Sequence, residues 1–143
     1  MFNVFICWYE NEFYFYKIDN SSAKLDVSFK GADSFVYDEN GILSSRDSTK
    51  TYTLQPSIVW PDGCASTYMV NWKIGDISVG KIAIHPENSM IADIWTDNKV
   101  LYFKVKNDYN TSYSNNKITA TIRTIGDLSW VYEKEIGFSK QGS

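Results

Sequence analysis

The sequence is short of the side chains that most enzymes spend on chemistry. Its 143 residues include one histidine, two cysteines and three prolines. A single histidine, His85, leaves no partner for a zinc site, and two scattered cysteines do not supply the missing ligands. The context Ile84-His85-Pro86-Glu87-Asn88 reads as an exposed turn after a strand. There is no Gly-Xaa-Ser-Xaa-Gly elbow and no glycine-rich loop to cradle a phosphate. Positive charge is also scarce: 14 Lys and Arg stand against 17 Asp and Glu, a net charge of -3. Without a basic field to gather phosphates, a nucleic-acid partner is not expected. No apolar run approaches the roughly 20 residues of a transmembrane helix. The acidic residues offer many carboxylate pairs but single none out for hydrolysis. What the chain has in abundance is aromatic surface, with five Trp, ten Tyr and eight Phe. That load, with a length typical of one domain, predicts an ordered core.

Strand periodicity dominates the chain. Phe2, Val4, Ile6 and Trp8 alternate, and Phe13 and Phe15 are set against Tyr14, Tyr16 and Ile18. The same period of two marks Leu25, Val27 and Phe29, then Tyr68 to Ile74, Leu101 to Val105 and Ile118 to Ile122. Trp130 and Tyr132 open a last pair of strands. Clusters of Asn, Asp, Gly and Ser separate these runs, and helical spacing is almost missing. The expectation is an all-β, single-domain antiparallel β-sandwich or jelly roll spanning residues 1–143. The segment from Gly31 to Lys50 reads as loop. Trp72 and Trp95 fit core or interface positions. Cys7 and Cys64 are either two small buried hydrophobes or a pair. The apolar start, Met1 to Tyr9, lacks basic residues and a cleavage site, so it does not read as a secretory signal.

One connection differs from the others. Between the strand ending at Lys106 and the strand starting at Lys117 lies Asn107-Asp108-Tyr109-Asn110-Thr111-Ser112-Tyr113-Ser114-Asn115-Asn116. One carboxylate precedes two adjacent carboxamides, and all three offer the hard oxygens that Ca²⁺ takes in shells of about 6–8 ligands. The same residue types also populate ordinary turns.

This stretch resembles the calcium loop of the PA-IL-like (LecA-like) bacterial galactose-binding lectins. In that family an Asn-Asp pair closes a strand and an Asn-Asn pair follows seven residues after the Asp, as Asn107-Asp108 and Asn115-Asn116 do here. Trp72-Lys73-Ile74-Gly75 resembles the family's Lys-Ile-Gly strand end. Gly31-Ala32-Asp33-Ser34-Phe35 resembles its Gly-Xaa-Xaa-Ser-Tyr segment. The resemblance touches points from about residue 24 to 126 and is specific in the 107–116 loop. It implies a Ca²⁺ held by side chains of Asp108, Asn115 and Asn116 and by carbonyls of Phe35 and Ser112, with two sugar hydroxyls completing the shell. Asp108 and Asn115 would also accept hydrogen bonds from those hydroxyls.

Where the family carries a sugar-contacting His-Pro-Xaa-Gln, the nearest match here is Trp60-Pro61-Asp62-Gly63. Trp60, Pro61, Asp62, Tyr37 and Tyr109 are therefore the further candidates for sugar contact, a tryptophan being suited to the apolar face of a galactoside. The resemblance implies a non-enzymatic lectin for galactose-type glycans or glycoconjugates. A single carboxylate implies modest calcium affinity, hence action outside the cell or at a host surface. A weak single site also implies a homo-oligomer, through avidity. The alternative expectation is a structural or protein-interaction β-sandwich without sugar binding.

Overall fold

The computed structural model describes the backbone of residues 3–9 and 12–18 and the whole of residues 25–60, 67–124 and 129–142. The chain is all-β, and no helix occurs among the described residues. Twelve strands follow in order: β1 (Asn3–Tyr9), β2 (Glu12–Ile18), β3 (Asp26–Gly31), β4 (Ser34–Tyr37), β5 (Tyr52–Val59) and β6 (Tyr68–Ile74), then β7 (Ile77–Ser78), β8 (Ile91–Asp97), β9 (Val100–Val105), β10 (Lys117–Thr124), β11 (Ser129–Glu135) and β12 (Gly137–Lys140). β1 and β2 form an antiparallel hairpin of their own. The two larger sheets run β11-β10-β6-β7 and β3-β5-β9-β8, both antiparallel. A short pair, β4 beside β12, is parallel.

The alternation read from the sequence becomes burial. Val70, Trp72 and Ile74 of β6 point inward with Ile118, Ala120 and Ile122 of β10, while Met69, Asn71 and Lys73 face out. From the second sheet, Leu54, Ile91, Ile94, Leu101, Phe103 and Val105 meet them in one contiguous core. Burial of this apolar surface is the main force holding the two layers face to face. The segment after β7 links the sheets along one side. Val79 N–H donates to Trp72 O, Thr96 N–H to Gly80 O, and Ile84 and Ile94 exchange two backbone bonds. Across the other side, the Tyr132 hydroxyl donates to Leu25 O at 2.8 Å. Burial pushes that phenol up to about 12.

Four strands went unread in the sequence, for physical reasons. β4 and β7 have four and two residues, too few to display a period. β8 carries a register shift between Ile91 and Asp93, which breaks its alternation. β5 contains Pro56, but its ladder with β9 ends at Leu54, so the missing N–H falls where that pairing has stopped. The segment Gly31 to Lys50 is therefore not all loop. Gly31 has φ of +136°, and a Cβ there would lie 1.9 Å from Thr53 O. No other residue fits that approach.

β4 brings Phe35 into the core, fully buried. Its ring meets Tyr52 at 5.2 Å, Phe103 at 5.9 Å and Phe138 at 5.4 Å. The Arg46 guanidinium lies 5.2 Å from the same ring. Beneath the start of β4, Lys134 Nζ pairs with Asp33 Oδ2 at 2.9 Å and holds that carboxyl below its usual range.

Two outcomes follow for stability. Phe35→Ala should cost about 3–5 kcal/mol, measured by urea unfolding, because nothing nearby can collapse into a cavity walled by three rings. Asp33 has a lowered folded pKa, so its contribution is present above the unfolded carboxyl value near 3.8 and is lost as pH falls through the lowered one. Asp33→Asn should remove that part of the acid dependence. At pH 7 it should cost less than about 1 kcal/mol, since both partners are partly exposed.

Candidate functional site

The loop 107–116 is built around one buried amide. Asn116 is 6% exposed. Its Oδ1 accepts hydrogen bonds from Ser89 Oγ at 3.0 Å and Met90 N–H at 2.9 Å, and its Nδ2 donates to Tyr113 O at 2.9 Å. Its backbone oxygen accepts from Ile136 N–H at 3.0 Å. Ser89 Oγ in turn accepts from Ile91 N–H. One residue thus ties the loop to the start of β8 through its side chain and to the β11–β12 junction through its backbone. Asn115 adds to the anchor: its N–H donates to Asn88 O at 2.8 Å and its Nδ2 to Glu87 O at 3.0 Å.

The front of the loop is fastened to a different turn. Leu43 N–H donates to Asn107 O and Tyr109 N–H to Gly41 O, and Asp108 bridges Ile42. Asp38 Oδ1 orders that turn by accepting from Asn40 and Ile42 N–H. Behind it, the fully buried Tyr37 donates its hydroxyl to Lys106 O and lies 5.4 Å from the Tyr109 ring. Burial, with the Asp108 carboxylate nearby, raises its pKa. Tyr37 therefore supports the loop from within the core, and it has no surface to offer a sugar.

Asp108, Tyr109, Asn110 and Tyr113 line a cavity of about 390 Å³ together with Lys106 and Asn107. The Lys106 ammonium sits 4.1 Å from the Tyr113 ring centroid. This pocket joins a carboxylate, a carboxamide, a cation and two half-exposed phenol rings, a mixture that suits a small polyhydroxylated ligand. A second cavity of about 310 Å³ lies behind the loop, lined among others by Tyr109, Tyr113, Asn116 and Phe138. Tyr113, Asn110 and Lys106 are contacts that the sequence reading left out. Their signal was the half-exposed aromatic and amide content of the loop itself.

The five expected calcium ligands divide in this arrangement. Asp108 is exposed and Ser112 lies on the loop surface. Asn115 is half-buried, with its amide nitrogen engaged and Oδ1 beside Gly75. These offer the hard oxygens that calcium selects. Asn116 has both lone pairs of Oδ1 occupied, so it fastens the loop rather than presenting an oxygen. Phe35 is buried within β4. Neither cavity beside the loop is lined by the whole set. Among the described residues, no three His, Cys, Asp or Glu side chains cluster, so any cation held here must rely mainly on neutral oxygens.

The Lys-Ile-Gly strand end does lie against this loop. Gly75 N–H donates to Lys117 O, and a Cβ on Gly75, whose φ is +54°, would stand 2.8 Å from Asn115 Oδ1. Trp60 lies elsewhere. β5 starts beside the loop end of β9 through Tyr52↔Phe103 and runs away from it for eight residues, roughly 24 Å at strand rise. Trp60 follows its far end, packed on Tyr68 at 5.8 Å. One small sugar cannot touch both Trp60 and Asp108. Pro61 and Asp62 lie outside the described residues, as do the side chain of Cys7 and all of Cys64. His85 is exposed as expected and pairs with Asp93 at 2.5 Å. Trp72 is a core residue, and Trp95 is half-buried against Tyr102.

Comparison with family models, curated proteins and solved structures returns no match. No helix of the described chain is long and apolar enough to cross a membrane.

The anchoring can be tested apart from any ligand. Asn116→Ala strips Ser89 Oγ and Met90 N–H of their acceptor and should lower unfolding free energy by about 1–3 kcal/mol. Hydrogen exchange should then quicken at Met90 and Ile136 before it does at Ile118. Gly75→Ala should shift the side-chain amide resonances of Asn115 while costing only about 1 kcal/mol.

Proposed function

We propose that this protein is a calcium-dependent carbohydrate-binding lectin for galactose-type glycans, with the 107–116 loop as its binding element. The observation that carries the reading is the contrast within that loop. The far end is fixed by the buried bonds of Asn116 and the front by backbone bonds to Gly41 and Leu43, while Asp108 and Ser112 are exposed and Asp108 lines a cavity with two aromatic rings. A rigid frame with uncommitted hard oxygens is what a weakly charged calcium site requires. Asp108 and Asn115 would supply the side-chain oxygens, Ser112 and the remaining loop carbonyls the neutral ones, and Asn116 the anchoring. A bound Ca²⁺ offers open coordination positions to neighbouring sugar hydroxyls. Tyr109 and Tyr113 present ring surface to the apolar side of the sugar, and Asn110, whose Oδ1 is taken up by Ser112 N–H and Oγ, offers its amide N–H groups as donors. Trp60 has no part in this site. One carboxylate gives modest affinity, which suits millimolar calcium outside the cell, and a self-associated form would raise the avidity of so small a contact.

The test is galactoside binding by calorimetry in millimolar calcium. Binding should vanish with EDTA and fall at least about tenfold in Asp108→Ala, the size of one charge-assisted contact. Thermal denaturation should show a calcium-dependent rise in Tm that galactose increases further. Sugar binding unaffected by EDTA sinks the mechanism. A calcium-independent Tm together with no sugar binding favours an interaction domain instead.

A further inference from the structure

A second surface with binding chemistry lies on the outer face of the β11-β10-β6-β7 sheet. A cavity of about 520 Å³ there is lined by Asn71, Lys73, Ser78, Thr121, Arg123 and Ser129, among others. Strand alternation places these groups on one face: Asn71 and Lys73 project from β6, Thr121 and Arg123 from β10, and Ser129 from β11. The register sets Asn71 opposite Thr121 and Arg123 opposite both Met69 and Ser129. Asn71 and Thr121 therefore form the floor between two cations at either end. Arg123 pairs with Met69, four residues from Lys73, so the two cations stand roughly 13 Å apart at strand spacing.

The charge of this surface is opposite to that of the protein. Net charge is -3, yet no acidic residue lines the cavity. Neither Arg123 nor Lys73 is ion-paired with a carboxylate among the described residues. The nearest acid in the row, Glu133, is two strands from Lys73 and pairs with Lys117 at 3.5 Å. Two unpaired cations flanking a floor of hydroxyls and an amide match a ligand with anionic groups at its ends and hydroxyls between. Arg favours such groups because its fork meets two oxygens at once.

We infer that this outer-face trough binds a sulfated or phosphorylated sugar unit, with Arg123 and Lys73 each taking one oxoanion ester, Asn71 and Thr121 hydrogen-bonding the hydroxyls between them, and Ser129 adding a hydroxyl beside Arg123. The site is independent of the 107–116 loop and needs no metal.

The experiment is a titration of the full chain, in EDTA, with a disulfated disaccharide, its unsulfated parent and inorganic sulfate, read by calorimetry and backbone-amide NMR. EDTA separates this site from the calcium reading, so either can fail alone. The disulfated sugar should shift the amides of Asn71, Thr121 and Ser129 and should weaken steeply with added salt. Arg123→Gln and Lys73→Gln, both at exposed positions and expected to keep the wild-type Tm, should each raise its Kd about tenfold. Equal affinity for the unsulfated parent overturns the inference, as do unchanged Kd values in both variants or shifts confined to residues 107–116. Inorganic sulfate binding as tightly as the disaccharide overturns it too, since the hydroxyl floor would then contribute nothing.

Discussion

A single buried carboxamide holds together the end of this molecule that carries the 107–116 loop. Asn116 spends both lone pairs of Oδ1 and an amide N–H inside the protein, on Ser89, Met90 and Tyr113, and its backbone oxygen on Ile136. A buried amide left unmatched would be costly, so the geometry of three separate segments is set by its satisfaction. Asn115 adds a second link from the loop to the turn before β8, but Asn116 is the residue that joins that turn, the loop and the β11–β12 junction at one point. The aromatic column of Phe35, Phe138, Tyr37 and Tyr109 then fixes the opposite side of the same loop, linking core packing directly to the exposed rings.

The division of labour between Asn115 and Asn116 is the main refinement of the functional reading. The two residues are adjacent, chemically identical and equally suited to calcium on paper. The strand start at Lys117 forces their side chains to opposite sides, one buried and one half-exposed. Spacing along a chain establishes which oxygens are near one another. It does not say which of them already have partners, because those partners, Ser89 and Met90, are 27 and 26 residues away.

Much of the architecture was legible because half-buried strands write their burial into the sequence. Tyr68 to Ile74, Leu101 to Val105 and Ile118 to Ile122 fell on strands with the expected faces inward. Strands that are very short, or interrupted by a bulge or a proline, carry no such signature. The candidate loop was recognisable from residue type and interval alone. Trp60 was not placeable, since its distance from Asp108 depends on the direction of β5, which only the pairing of Tyr52 with Phe103 reveals. Tyr37, three residues beyond Ser34, looked like surface and proved to be core.

The parallel pairing of β12 with β4 has a consequence for how the molecule comes into being. Residues 137–140 lie beside residues 34–37, so the two partners are 103 residues apart in sequence. Contacts this distant in sequence form late, because a large loop must close before they repay its entropy. Phe138 cannot reach Phe35 and Tyr37 until the long stretch of chain between them has doubled back on itself. The floor beneath the 107–116 loop is therefore built from two segments distant in sequence, and removal of β12 would take Phe138 from Phe35 and Tyr37 and leave that side of the loop without its aromatic support.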